Sequence, residues 1–505
     1  MKKARWTVIS VLFLVVMVMG GFSWASDAPK KPEFDGKKVR KTLDSILPDY
    51  LDLFYTPGFA VGVLKDGKVA YARGFGQRDL ESGEPVTPHS LFHMASVSKP
   101  FTAAAIMQLQ EKGKLNLDDP VAKHLPYFEM KDRRFRLITI MQLLTHTSGL
   151  PDVKDYHWDK PEDDPLANRR LIQGLTDVEL IADPGTKFHY SNLGYDILAD
   201  VIAILSGRSF EDAMAEAIFK PLEMTNSTFL KKDVSGILAV TPYMLDIKGD
   251  FSLVQSPFYP YHRAHAASLT LHSSVLEMLH WAKVNLNKGA YKDKKILKPE
   301  SYDLLWKPTV KIGKYQALGL GWFMGIHRGV PTIGHGGGDL GFRTYFVLVP
   351  SQSLAVVVMA NAETFQSFTV TQAILDVCMG LEPQAPLGLT PVELGRTLAK
   401  KGIDAAIKQY KQLRKDKSDQ YFFGESMLYQ LGNRLLKAGK FKQALAMLTL
   451  NTEEFPNSIL TYSLMADVYI KKKEINKARQ VLKNGLQKNP GDRKLNQKLE
   501  TLKSR

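Results

Sequence analysis

The stretch "GFAVGVLKDGKVAYARGFG", Gly58 to Gly76, decides the fold. Two runs rich in β-branched and aromatic residues flank Asp66-Gly67, a hairpin turn signal, so the stretch predicts two paired strands. A matching set lies far downstream. "ALGLGWFMGI", "VPTIGHGG", "GFRTYFVLV" and "SLAVVVMAN", between Ala317 and Asn361, are short apolar or alternating runs separated by Gly, Pro and Ser. The segment between reads as helical. "KPFTAAAIMQLQEKGKL" ends at Gly113, "NLGYDILADVIAILSG" stops at Gly207, and "SSVLEMLHWAKVNLNKG" repeats the same spacing. Strands at both ends with helices between predict an α/β (α+β) fold. One sheet is built from N- and C-terminal pieces, with a helical layer and a helical subdomain beside it.

Beyond "LEPQAPLGLT" the composition changes. Pro383, Pro386 and Pro391 mark a linker, placed at 381–391. The tail over 392–505 repeats itself at a spacing of 34 residues. Gly432 matches Ala466, Leu435 matches Tyr469, Ala444 matches Ala478, Leu448 matches Leu482 and Pro456 matches Pro490. That period and small-residue pattern resemble tetratricopeptide repeats, so all-α helical repeats are expected. "ELGRTLAKKGIDAAIKQY" reads as a degenerate earlier copy.

Composition narrows the rest. A chain of 505 residues with 44% hydrophobic and 24% charged content is expected to hold two or three globular domains. The single cysteine, Cys378, excludes a disulfide framework within one chain. The net charge of +15 is unevenly placed. Residues 391–505 carry 24 Lys and Arg against 11 Asp and Glu, whereas 26–390 are near balance. The basic character therefore belongs to the tail, which suits a protein partner or an anionic envelope surface. The alternative is a solvated basic face that only braces the remainder. No nucleic-acid partner is expected. Lys2, Lys3 and Arg5 precede an apolar run from Trp6 to Phe22, and "SWA" at 23–25 supplies small residues for cleavage. Residues 1–25 are expected to be a signal peptide, with secretion or a periplasmic location as the consequence. An uncleaved membrane anchor is the alternative, since the run approaches spanning length.

The chemistry centres on "FHMASVSKPFTAAAIMQLQ", Phe92 to Gln110. Residues three apart on a helix share a face, so Ser96 meets Lys99 while Ser98 points elsewhere. Pro100 is tolerated only near a helix start, so the helix opens around Ser96. There the backbone N–H groups and the dipole favour developing negative charge. A lysine at its usual pKa of about 10.4 cannot act as a base at neutral pH, but burial or a nearby cation lowers it. S-x-x-K alone is a weak signal, because a helix cap followed by a surface lysine gives the same letters.

Two further stretches join it. "KFHYSNLGYDILADVI" carries Tyr190-Ser191-Asn192, and "IGHGGGDLGF" carries His335-Gly336-Gly337. Taken singly, Tyr190 reads as a core tyrosine and the glycine run as a turn. In order and spacing the three resemble the class C β-lactamase-like serine hydrolases, which include D,D-carboxypeptidases, D-aminopeptidases and related esterases. "LLTHTSGLPD", Leu143 to Asp152, fits the same family, and the resemblance covers about 40–375.

The resemblance implies a β-lactamase/transpeptidase-like antiparallel sheet flanked by helices over 26–380. It implies Ser96 as the acyl-forming nucleophile, with Lys99 and Tyr190 taking its proton and passing it to the leaving group. Two nearby cations are expected to lower the pKa of Tyr190 for that purpose. Asn192 would bond the substrate amide or Lys99. His335, Gly336, Gly337 and Gly338 would line the substrate, with the Gly338 and Ser96 N–H groups forming an oxyanion hole. His335 stands where true class C β-lactamases carry a lysine. A mostly neutral histidine there leans away from efficient β-lactam hydrolysis and toward esters, D-amino-acid peptides or cell-wall peptides. No cofactor is expected. His93 and His146 read as structural. His262 and His265 lack a third ligand nearby in sequence, so no metal site is expected. The competing reading is a non-catalytic penicillin-recognising or peptidoglycan-binding protein whose repeat tail does the work.

Overall fold

The computed structural model describes residues 34–234, 236, 238–314 and 316–503. The leader expected over 1–25 lies outside them. The chain divides into two compact units. One runs up to Tyr243 and resumes over Gln255–Gln384; the other takes Met244–Val254 and the chain from Ala385.

The first unit is built on a sheet of strands β1 (Gly58–Lys65), β2 (Lys68–Gly76), β3 (Val310–Gly313), β4 (Gln316–Leu318), β5 (Phe323–His327), β6 (Val330–Asp339), β7 (Phe342–Val349) and β8 (Leu354–Ala360). Their order is β2-β1-β8-β7-β6-β5-β4-β3. Every neighbouring pair is antiparallel. The two ends of the sequence meet where β1 pairs β8, from Phe59 opposite Ala360 to Lys65 opposite Leu354. The β1–β2 hairpin turns on Asp66 and Gly67, at φ of 49° and 72°. Two consecutive left-handed residues give the turn whose twist matches the flanking strands.

Both faces of the sheet are covered. Along β8, Ala355, Val357 and Met359 join a core with Phe101, Val275 and Leu279. The alternate Leu354, Val356 and Val358 join one with Val39, Leu43 and Ile374. A strand buried on both faces reads as an unbroken apolar run, which is why "SLAVVVMAN" shows no alternation. Helices α1 (Gly36–Ile46) and α6 (Ser367–Cys378) cover the second face. Helices α2 (Ser98–Glu111), α4 (Asn192–Ser206) and α5 (Val275–Leu286) contribute to the larger core, which also takes in the short α3 (Ile140–Leu144). Gly62 lets α5 approach β1, since a Cβ there would lie 3.2 Å from Val275 Cβ and 2.9 Å from Val357. The helix stops at Gly113 and Gly207 fall as the sequence predicts, with φ of 66° and 69°.

The second unit is helical, as expected of the tail. Its helices are Thr390–Lys401, Ile403–Asp416, Glu425–Lys437, Phe441–Glu454, Ile459–Lys471, Ile475–Lys488 and Arg493–Lys503. The third and fourth helices recur, with the same lengths, as the fifth and sixth. The repeated small residues set the packing distance. A Cβ on Gly432 would lie 2.6 Å from the Leu448 side chain. Ala444, Ala466 and Ala478 are fully buried. Within the linker expected at 381–391, Gly388–Leu389 pair with Tyr421–Phe422 and a helix begins at Thr390. Phe251, from the inserted Met244–Val254 segment, is buried where a Cβ on Gly395 would lie 2.3 Å from its ring.

Candidate active site

Ser96 lies in a single 3₁₀ turn, Ala95–Val97, which runs directly into α2 at Ser98. Ala95 enters that turn at φ 48°. A left-handed alanine is strained, and the strain is held by the burial around it. Ser98 is not part of the site. Its Oγ donates to the Ala95 carbonyl at 2.7 Å and accepts the Leu271 N–H at 3.0 Å.

Lys99 comes from the first turn of α2 and has no exposed surface. Its Nζ lies 3.0 Å from Ser96 Oγ, 2.6 Å from Asn192 Oδ1 and 2.8 Å from the Ser268 carbonyl. Burial pushes the amine down to about 7, against the opposing pull of Asp196, Asp152 and Asp339. A neutral amine has two N–H donors and one lone pair. Asn192 Oδ1 and the Ser268 carbonyl can only accept, so they take both donors. The lone pair is left for the Ser96 hydroxyl.

Asn192 opens α4, with its N–H on Asp152 Oδ1 at 2.8 Å and its Nδ2 donating to Tyr156 Oη at 2.5 Å. Both ends of its amide are engaged, and the Oδ1 end is on Lys99. Tyr190 precedes α4 and is half-buried. Lys99 Nζ lies 4.9 Å from its ring centroid. The expectation of a lowered tyrosine pKa is overturned. Burial raises the Tyr190 phenol far above its usual value, and contact with the Ser96 side chain offsets only part of this. The two cations expected beside it are not there as fixed charges, because Lys99 titrates near neutrality and His335 is neutral.

His335 lies in β6, buried, with its ring 5.0 Å from that of Phe323. Burial and Lys99 push it down to about 3. Its Nδ1 sits 2.7 Å from the Gly336 carbonyl, so Nδ1 carries the proton and donates there. Nε2, an acceptor, has no partner among the described residues. Gly337 marks where β6 crosses the nucleophile turn. A Cβ there would lie 2.2 Å from the Met94 carbonyl and 2.3 Å from Thr344 Oγ1. Gly336 and Gly338 alternate to the other face, toward Tyr345 and Arg343. His93 Nε2 meets Asp339 Oδ2 at 3.2 Å, tying the segment before Ser96 to the residue after Gly338.

The structure therefore gathers Ser96, Lys99, Tyr190 and Asn192 into one cluster, with His335 beside Tyr190 and Gly337 on the Ser96 turn. Sequence reading missed four contributors: the Ser268 carbonyl, Asp152, Tyr156 and His146. The sequence reads His146 as structural. Its ring stacks on Tyr190, centroids 4.2 Å apart. Two of the four lie in "LLTHTSGLPD", but nothing in that string says which side chains face the nucleophile. His265 Nδ1 is held by Asp196 at 2.7 Å, and His262 Nδ1 accepts the Ala264 N–H. Among the described residues no three His, Cys, Asp or Glu side chains are grouped to hold a metal ion.

A half-buried serine against a fully buried lysine at a helix mouth, beside a tyrosine and a glycine-rich sheet strand, is an arrangement suited to acyl transfer. The chain belongs to the β-lactamase family, whose members are generally serine hydrolases: residues 47–378 match that family's sequence model. Residues 435–501 match the tetratricopeptide-repeat model. The chain is 30% identical over 329 residues to Protein flp of Staphylococcus aureus (strain MRSA252), covering 64% of this chain and 63% of that protein's length. It is 28% identical over 349 residues to penicillin-binding protein 4 of Amycolatopsis lactamdurans, covering 66% of this chain and 87% of the relative. Among solved structures it is similar to the octameric penicillin-binding protein homologue from Pyrococcus abyssi. That match has a TM-score of 0.62 and 28% identity, over 72% of this chain and 82% of that one.

Proposed function

We propose that the protein is an exported serine hydrolase that cleaves ester or amide bonds through an acyl-enzyme on Ser96. The observation that carries the reading is the fully buried Lys99 amine, 3.0 Å from Ser96 Oγ and pushed down to about 7. In the proposed cycle the Lys99 lone pair takes the Ser96 proton as Oγ attacks the acyl carbon. The tetrahedral oxyanion is received by the N–H groups of Ser96 and Gly338. As the intermediate collapses, the bond to the leaving group breaks and Tyr190, a neutral phenol, supplies its proton. Lys99 then returns its own proton to Tyr190. Water attacks the acyl-enzyme by the reverse relay, and Ser96 regains its hydrogen. Protonated Lys99 has three N–H donors for the same three oxygens, so the amine changes charge without rearrangement.

The substrate reading is an ester, a D-amino-acid peptide or a cell-wall peptide. It is supported by neutral His335, which supplies no fixed charge for a carboxylate and offers Nε2 as an acceptor to a substrate N–H or O–H. The division proposed is a leader over 1–25, a catalytic body over 26–380 and a partner-binding helical tail over 392–505. The test is turnover of p-nitrophenyl esters of increasing acyl length and labelling by a fluorescent penicillin, in wild type, Ser96→Ala and Ser98→Ala. Turnover lost only in Ser96→Ala is the expected result, with ester turnover outrunning stable penicillin adduct. Turnover that survives Ser96→Ala contradicts the reading. Loss of biological effect on removing the tail, with Ser96→Ala silent, would instead favour a non-catalytic binder.

A further inference from the structure

We infer that His146 is the positioning residue for Tyr190, holding the phenol where it can pass a proton to the leaving group. The inference rests on the role proposed above for Tyr190. His146 follows α3 at φ 54°, a conformation that histidine adopts more readily than most side chains. That bend turns its backbone and its ring toward the same neighbour. The His146 carbonyl accepts the His189 N–H at 2.8 Å, and its Nδ1 accepts the Ser191 N–H at 3.1 Å. The residues on both sides of Tyr190 are thus bonded to one histidine. The His146 ring covers a face of the phenol, with centroids 4.2 Å apart and planes 27° apart.

Neither a helix end nor a core filler requires all three contacts. A helix end would need no imidazole, and a core filler would need no acceptor at Nδ1. Tyr190 is only half-buried and so keeps a side open to substrate. It must then be fixed from the inner side, where His146 is 1% exposed. The imidazole must also stay neutral, because an imidazolium carries a proton on Nδ1 and cannot accept from Ser191. The groups around it favour that state. Burial is the largest effect against a charge there, and Lys99 adds to it. The proton therefore resides on Nε2, which has no partner among the described residues.

Leaving-group dependence tests this role. A nitrophenolate departs without a proton, whereas an alkoxide needs one. The full chain is assayed on p-nitrophenyl acetate, phenyl acetate and ethyl acetate as wild type, Tyr190→Phe, His146→Asn and His146→Phe. Asparagine keeps an acceptor near the Nδ1 position and tolerates positive φ, but loses the ring. Phenylalanine keeps the ring and loses the acceptor. Tyr190→Phe is expected to lose about 100-fold on ethyl acetate and under about tenfold on p-nitrophenyl acetate. Each His146 variant is expected to steepen the dependence in the same sense, by roughly tenfold between the two esters, and to add nothing on the Tyr190→Phe background. Thermal melts report folding of each variant. Equal losses on all three esters, or none, while Tyr190→Phe steepens the series, would overturn the inference and leave the proposed function standing. A series unchanged by Tyr190→Phe removes the role of Tyr190 and this inference with it. Wild-type inactivity on the whole series overturns the Ser96 reading and the inference together.

Discussion

Lys99 meets three oxygen atoms in a place with no exposed surface, and its chemistry follows from that. A lysine held near pH 7 is about half neutral at physiological pH and loses its base function below it. We therefore expect kcat/KM on a p-nitrophenyl ester to fall about tenfold per pH unit below 7, and the limb to vanish in residual Lys99→Met activity. Stability carries the same signature. The unfolded lysine keeps its proton up to about 10.4, so between pH 7 and 10 the unfolded state binds more protons and stability rises with pH. Relative to Lys99→Met, the wild type should gain up to about 1.4 kcal/mol per pH unit across that window, read by denaturant melts. Below pH 7 both states are protonated and the difference should be flat. Ser98 supplies the contrast at this scale. It is buried with both its bonds inside the fold, so Ser98→Ala should cost about 1–3 kcal/mol of stability and leave the chemistry of Ser96 in place.

At the scale of elements the site depends on how closely β6 passes the Ser96 turn. A methyl group at 337 would sit 2.2 Å from the Met94 carbonyl, so Gly337→Ala must move the strand or the turn. A displacement of order 1 Å costs roughly 100-fold in rate, and we expect that loss in kcat with ester binding much less affected. The elements themselves were legible where local chemistry declares them. Asp66-Gly67 announced the hairpin, Gly113 and Gly207 the helix ends, and Ser96, Lys99 and Pro100 the helix mouth. Less was legible where a contact joins distant segments. The Ser268 carbonyl on Lys99 leaves no side-chain mark in the sequence. The left-handed turn at His146 has no glycine to signal it. The tyrosine pKa goes the other way chiefly because the phenol is itself buried, and buried His335 and Lys99 are not the fixed cations that would offset this.

At the scale of the whole molecule, all the named site residues belong to the first unit. The second unit borrows Met244–Val254 from within that sequence and buries Phe251 in its own packing. Phe251→Ala should destabilise the helical unit by about 3–5 kcal/mol, seen as an earlier transition for that unit in calorimetry. Ester turnover below that transition should be unchanged. The repeat match, the 34-residue recurrence and the surplus of basic residues all fall in this unit, where partner binding is proposed.

A covalent intermediate on one serine is readable by peptide-level mass mapping. The full chain is quenched in acid seconds after mixing with p-nitrophenyl acetate, digested, and compared with Lys99→Met and Ser96→Ala. An added acetyl group is expected on the peptide holding Ser96, confined to that serine, much slower to form in Lys99→Met and absent from Ser96→Ala. Acetyl transfer to Ser98 or another residue, or turnover with no modified Ser96 peptide at any quench time, would contradict the acyl-enzyme on Ser96.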